Sequence, residues 1–176
     1  MSGIEERWKL MTGGRTSPVR KEALRGRVVP PVCERFLFRL GLPYEAAPFL
    51  SFSLPAGGFP FPSETWGVAE DMDRYVPVGQ DGSGGAICMR SPDGAVVVLD
   101  HEDGMSEVGV NASWGQFCWS LVIYDTMMSR LADADEGEGP QLLERLERML
   151  QKADSTALSS GSFWAQVLKD ERAELD

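Results

Sequence analysis

The sequence lacks a long hydrophobic run, has one histidine and contains only three cysteines, and each shortage excludes a class of protein. No apolar stretch approaches the roughly 20 residues that a helix needs to cross a bilayer, and the N-terminus lacks a signal-peptide pattern. Cys33, Cys88 and Cys118 are odd in number and lie among apolar neighbours, which favours buried free thiols over disulfides. His101 is their only conventional partner as a zinc ligand. We therefore expect a cytoplasmic protein without a metal site.

Catalytic motifs are also scarce. The chain has neither a Gly-x-Ser-x-Gly elbow nor a His-Glu-x-x-His sequence. The glycines of residues 79–85 precede a strand and have no lysine near them, so tight turns explain them better than a phosphate loop does. His101, Glu102 and Asp103 could bind a cation or act as acid and base, but adjacent residues of an extended loop point in alternating directions. We expect no catalytic residue and no cofactor, and rank an enzyme that uses this loop last.

Negative charge is what the sequence has in excess, with 27 Asp and Glu against 17 Lys and Arg. Residues 1–35 carry eight basic and four acidic residues, whereas the rest carries nine basic and 23 acidic ones. Glycine and proline interrupt the start of the chain, so we expect residues 1–31 to form a basic, flexible arm and residues 32–176 to form the domain. An acidic body attracts basic partners and repels nucleic acid, although solubility alone also accounts for such a charge.

The apolar pattern predicts an α+β domain. Residues 32–40 have helical spacing that Gly41 and Pro43 end, and Asn111 or Ser113 can cap a later helix. Short segments between turn residues predict strands, at 49–54 (an edge strand), 75–78, 85–90, 95–99 and 108–113. Amphipathic segments predict three closing helices, at 114–131, 140–152 and from 162 onward. We expect a single domain with a central antiparallel sheet of about four to six strands, flanked by N- and C-terminal helices.

Eight residues are candidates for contact with a partner. One of five tryptophans lies in a polar segment, where it can anchor an interface, and the others are carboxylates of loops that can meet a basic surface. The candidates are Trp66, Asp71, Asp73, Asp81, Asp100, Glu102, Asp103 and Glu107. A solvated hairpin rim is the alternative interpretation of the carboxylates. Residues 48–62, rich in Phe, Pro and Gly, have no role that the pattern assigns.

The order of several short motifs resembles the SUKH superfamily, and in particular the fourth subfamily of its bacterial immunity proteins. The order and spacing over residues 32–168 carry the resemblance, through Leu40-Gly-Leu-Pro43, Tyr75-x-Pro-Val-Gly79, Pro92-Asp-Gly-Ala-Val96, Val110-Asn-Ala-Ser113 with Phe117 and Leu121, and Phe163-Trp164. The resemblance implies an α+β domain that binds and neutralises a polymorphic toxin, such as a nuclease or deaminase, by protein–protein contact. It carries no catalytic residues, and neither nucleic acid nor a membrane is an expected partner. A regulatory scaffold of the same superfamily, without a toxin partner, is the alternative.

Overall fold

The computed structural model describes residues 2–100, 103–135 and 137–175. These residues form six α-helices and two antiparallel sheets, joined by turns and loops. The helices are α1 Ser2–Thr12, α2 Pro31–Leu40, α3 Pro62–Trp66, α4 Trp114–Ala132, α5 Gly139–Ala153 and α6 Phe163–Leu175. Two short 3-10 helices are Lys21–Leu24 and Glu70–Arg74. The predicted α+β class is confirmed.

The main sheet is a six-stranded antiparallel meander whose spatial order follows the chain. Its strands are β3 Glu45–Ala46, β4 Leu50–Phe52, β5 Tyr75–Gln80, β6 Ala86–Arg90, β7 Val96–Asp100 and β8 Ser106–Asn111. A smaller sheet pairs β1 Thr16–Ser17 with β2 Leu42–Pro43. Residues 49–54 do contain a strand, β4, as predicted, but it is not an edge strand, because β4 pairs with β3 as well as with β5.

Alternation along β5–β8 divides the sheet into two faces. The inner face packs with the helices in the main core and includes Val76, Val78 and Val98. The outer face carries a smaller buried cluster of Tyr75, Cys88, Val97 and Leu99. This cluster is covered by Trp66 of α3, Met72 of the second 3-10 helix and Met105. The central strands β6 and β7 are therefore buried on both faces, which explains why their sequences read as short continuous apolar runs.

Residues 2–31 pack against the domain, in contrast to the flexible arm that their composition suggested. Ile4 and Trp8 of α1 are each only 2 % exposed and belong to the main core. Arg27 donates to four backbone carbonyls, those of Leu24, Phe59, Pro60 and Tyr75, at 2.5–3.0 Å. Apolar residues among the glycines and prolines thus join this segment to the main core, and charge and turn residues alone do not indicate this burial.

The end of α2 is fixed by backbone geometry. Gly41 has φ +70°, and a Cβ at this position would lie 2.6 Å from the carbonyl oxygen of Ser17. Only glycine adopts this conformation and allows this close approach without strain. The predicted end of the helix at Gly41 is confirmed. The residue that Gly41 approaches closely, Ser17 of β1, could not be identified from the local sequence.

Ser113, and not Asn111, caps α4. The Ser113 side chain accepts from the backbone N–H of Gln116 at 3.3 Å. Asn111 is buried and donates to Ser120 Oγ and Asp154 Oδ2, at 3.1 and 2.9 Å. Its own Oδ1 accepts from the indole N–H of Trp164 at 3.0 Å. This network joins β8 to α4, to α6 and to Asp154, the residue after α5. Asn111 therefore holds these elements together, and it does not cap the helix.

The three cysteines are buried and free, as predicted. Burial raises the pKa of the Cys88 and Cys118 thiols, since it disfavours the thiolate form.

Among the described residues, no helix combines the length and the apolar character that a membrane span requires.

Candidate partner-binding surface

The outer face of the sheet carries a hydrogen-bonded ionic network. Arg90 Nη1 lies 2.7 Å from Glu107 Oε2, and Arg90 Nη2 lies 2.7 Å from Asp93 Oδ2. The Tyr75 hydroxyl donates to Glu107 and accepts from Arg74 at 3.0 Å. Burial, followed by the bond to Glu107, raises the pKa of Tyr75, whereas the bond to Asp93 raises the pKa of Arg90. Glu107 is thus held in place by neighbours on β5 and β6.

The second 3-10 helix places two candidates on the same face as Glu107. Asp71 is exposed. The Asp73 carboxylate accepts from Ser63 N at 2.9 Å and from Ser63 Oγ at 2.7 Å, at the first turn of α3. Asp73 therefore fixes α3 over the outer cluster, because it satisfies an N–H that the helix itself leaves without a partner.

Three further candidates lie together at one end of the sheet. The pairing of Ala86 with Leu99 places the β5–β6 turn beside the β7–β8 turn. Asp81 Oδ1 accepts from the N–H groups of Ser83 and Gly85, at 3.0 and 2.8 Å, and so shapes its own turn. In the neighbouring turn, Asp100 Oδ1 accepts from the N–H of Asp103 at 3.3 Å.

Trp66 lies at the end of α3. Its ring packs against the outer cluster, and the side chain is partly buried. The segment around Trp66 is therefore part of a helix that packs on the outer face of the sheet. Glu102 and His101 lie outside the described residues.

The candidates thus form two neighbouring groups. Trp66, Asp71, Asp73 and Glu107 lie on or around the outer face, and Asp81, Asp100 and Asp103 lie at the turn end. Asp73, Asp81 and Glu107 also maintain local structure through their hydrogen bonds. Asp71 and Asp103 are the members whose exposure leaves their charge most accessible to a partner. In the described ranges, no three His, Cys, Asp or Glu side chains are grouped to hold a metal ion.

Among the described residues, the large apolar side chain with the greatest exposure is one that the sequence pattern did not single out. Phe49 lies between β3 and β4 and is 88 % exposed. Phe52 and Phe59 from the same segment are buried in the main core, and Phe61 lies beneath the guanidinium groups of Arg25 and Arg27 at 4.3 and 4.5 Å. Mixed spacing hid this division, because the segment has neither the period of a helix nor that of a long strand.

The fold is that of an α+β domain, in which an antiparallel meander packs against helices. A model of the SUKH-4 immunity protein family matches residues 10–170, and the chain belongs to that family. The resemblance drawn from the motif order is confirmed, and the match includes much of the segment that we had expected to lie outside the domain. The family is generally non-enzymatic. Comparisons with curated proteins and with solved structures gave no significant match.

Proposed function

We propose that this chain protects a bacterial cell by binding a toxin, a basic nuclease or deaminase domain, in the cytoplasm and neutralising it through direct contact. Membership of the SUKH-4 immunity protein family is the observation that carries the proposal. The net charge of −10 supports a basic partner, since complementary charge accelerates association and excludes wrong partners.

The acidic groups on the outer face and at the turn end support one contact region for such a partner. Asp71 and Asp103 are exposed, so reversing their charge changes the surface potential without removing the hydrogen bonds that Asp73 and Asp81 accept. Exposed charges at an interface rim act mainly on the association rate. Each reversal therefore tests the contact region separately from the fold.

The test uses the product of the reading frame beside the gene for this chain, which the proposal expects to contain the toxin domain. Co-expression of the wild-type chain should restore growth, and the purified proteins should bind tightly. The double variant Asp71→Lys/Asp103→Lys should bind at least tenfold more weakly, which is about 1.4 kcal/mol, mostly through slower association at low salt. The matched control Glu22→Lys/Glu144→Lys reverses two exposed carboxylates elsewhere and should bind normally.

The outcomes separate the parts of the proposal. Binding that survives the Asp71→Lys/Asp103→Lys change would show that the toxin uses another surface. Failure of the wild-type chain either to bind the toxin domain or to restore growth would contradict the proposed function itself. Several partners of moderate affinity, recovered in its place, would favour the regulatory scaffold.

A further inference from the structure

Phe49 projects from the β3–β4 connection in a conformation that costs stability. Its φ is +51°, in the left-handed region that non-glycine residues rarely adopt. A phenylalanine in this region is strained by about 1 kcal/mol or more, and 88 % of its surface remains exposed, so the folded chain gains little from burying the ring. Strain combined with exposure of a large aromatic ring indicates a role outside the folded monomer.

An acidic cleft lies directly beside Phe49. The cleft has a volume of about 730 Å³ and runs between the β3–β4 connection, α4 and the end of α6. Its charged lining residues are all carboxylates, namely Glu45, Asp125, Glu171 and Glu174. Glu171 accepts a hydrogen bond from the Tyr124 hydroxyl, which holds one of these carboxylates in the wall of the cleft.

Two more exposed apolar side chains extend this surface. Tyr44 and Leu10 are 56 % and 76 % exposed, and both line an adjoining cleft of about 610 Å³ that shares Met11 and Glu45 with the first. Arg15 contributes a positive charge to the adjoining cleft. On its other side, Phe49 lies next to Gly82, where an added Cβ would be 3.0 Å from the Phe49 Cβ. The surface is therefore continuous with the turn that carries Asp81.

We propose that the Phe49 ring and the acidic cleft beside it form the anchor for a basic segment of the toxin, which supplies lysine or arginine side chains to the carboxylates and an apolar pocket to the ring. This inference rests on the proposed function and identifies the surface through which the chain would bind the toxin. Charge complementarity selects this occupant, because the four carboxylates oppose an acidic one. A buried aromatic anchor surrounded by polar groups is the usual organisation of a binding hot spot.

The experiment measures binding of the same adjacent-frame toxin domain, in a catalytically inactivated form, by titration calorimetry. Phe49→Asn removes the ring while asparagine tolerates the left-handed conformation, so the melting temperature should be unchanged or higher. We expect this variant to bind at least tenfold more weakly than the wild-type chain. Glu45→Lys/Glu174→Lys should weaken binding by a similar factor and reduce its dependence on salt, since it removes the attraction that salt screens.

Val28→Asn is the matched control. Val28 is 66 % exposed and lies at the opposite end of β6 from Gly82, where its carbonyl accepts from Ser91 Oγ. This variant should bind within twofold of the wild-type chain. Wild-type affinity in Phe49→Asn would overturn the anchor while leaving the proposed function intact, whereas no binding by the wild-type chain would overturn both. A dimer of the chain alone that Phe49→Asn dissociates would also overturn the inference, since a second copy would then cover the ring.

Discussion

Replacing Asp154 with asparagine should destabilise the protein by about 3 kcal/mol, because the Asp154 carboxylate sits among donors only. Asp154 is 2 % exposed. Its Oδ2 accepts from Ala112 N and Asn111 Nδ2, at 2.7 and 2.9 Å, and its Oδ1 accepts from Thr156 N and Thr156 Oγ1, at 2.9 and 2.7 Å. An amide group in either orientation would therefore place its NH₂ against a backbone N–H.

The magnitude follows from the bonds lost. A buried donor left without an acceptor costs about 1–3 kcal/mol, and hydrogen bonds to a charged acceptor contribute about 1.5–3 kcal/mol each. The Thr156 hydroxyl can rotate and accept a hydrogen bond from the new NH₂ group. The loss of stability is then limited to about one backbone N–H without an acceptor and to the weaker hydrogen bonds of a neutral amide. In a domain of this size, about 3 kcal/mol corresponds to a fall in melting temperature of roughly 6–12 °C.

The effect should depend on pH. Burial opposes ionisation of Asp154, but the hydrogen bonds from Ala112, Asn111 and Thr156 outweigh burial and lower its pKa below the ordinary value. The unfolded carboxyl titrates near pH 3.9, so its stabilising contribution is complete above that pH and is lost as the pH falls through the folded pKa. Below about pH 4, the gap between the wild-type chain and Asp154→Asn should therefore narrow.

Urea unfolding followed by circular dichroism at pH 7 and at several values below pH 4 measures this difference. Asp133→Asn is the control, since Asp133 is exposed and its substitution should change the free energy of unfolding by no more than about 0.5 kcal/mol. A stability for Asp154→Asn equal to that of the control at pH 7, or a gap that widens on acidification, would refute the reasoning.

Two further predictions concern the core. Gly94→Ala should lower the free energy of unfolding by more than 2 kcal/mol, because the new Cβ would lie 2.5 Å from Cys33 Sγ at φ +76°. Gly67→Ala, at φ +63° with open space around it, should cost only the backbone term of about 1 kcal/mol, and equal losses in urea titration would disprove the steric argument. The three buried thiols should resist a thiol reagent in the native state and react after denaturation, whereas rapid native labelling would contradict their burial.

The sequence predicted most of the elements because local signals define them. The helix at Pro31–Leu40 has a clear period and a glycine stop, and the hairpin of Ala86–Arg90 and Val96–Asp100 is bounded by turn residues. The segments without a period were harder. Residues 2–31 and 48–62 contain Trp8 and Phe59 in the core, but each owes its burial to partners far away in the chain, and a short sequence window does not contain those partners.

The sequence selected candidate residues without showing which of them are accessible. Charge selected Asp71 and Asp103, which are exposed, but the same criterion selected Asp73 and Asp81, whose carboxylates hold α3 and a turn in place. The Phe49 cleft went unpredicted, because Glu45, Asp125 and Glu174 come from distant parts of the chain. Sequence separation conceals such a site, since its charges converge only when β3, α4 and α6 pack together.

By itself, the sequence determined the class of the fold, the excess of negative charge and the family, because periodicity, composition and motif order are local or additive properties. The tertiary structure alone decided which acidic residues are accessible and which phenylalanine remains outside the core. It also made Asn111 a buried partner of Asp154 and left the helix cap to Ser113. The physical reason is that burial and hydrogen-bond partners are properties of the packed chain, and residues far apart in sequence supply them.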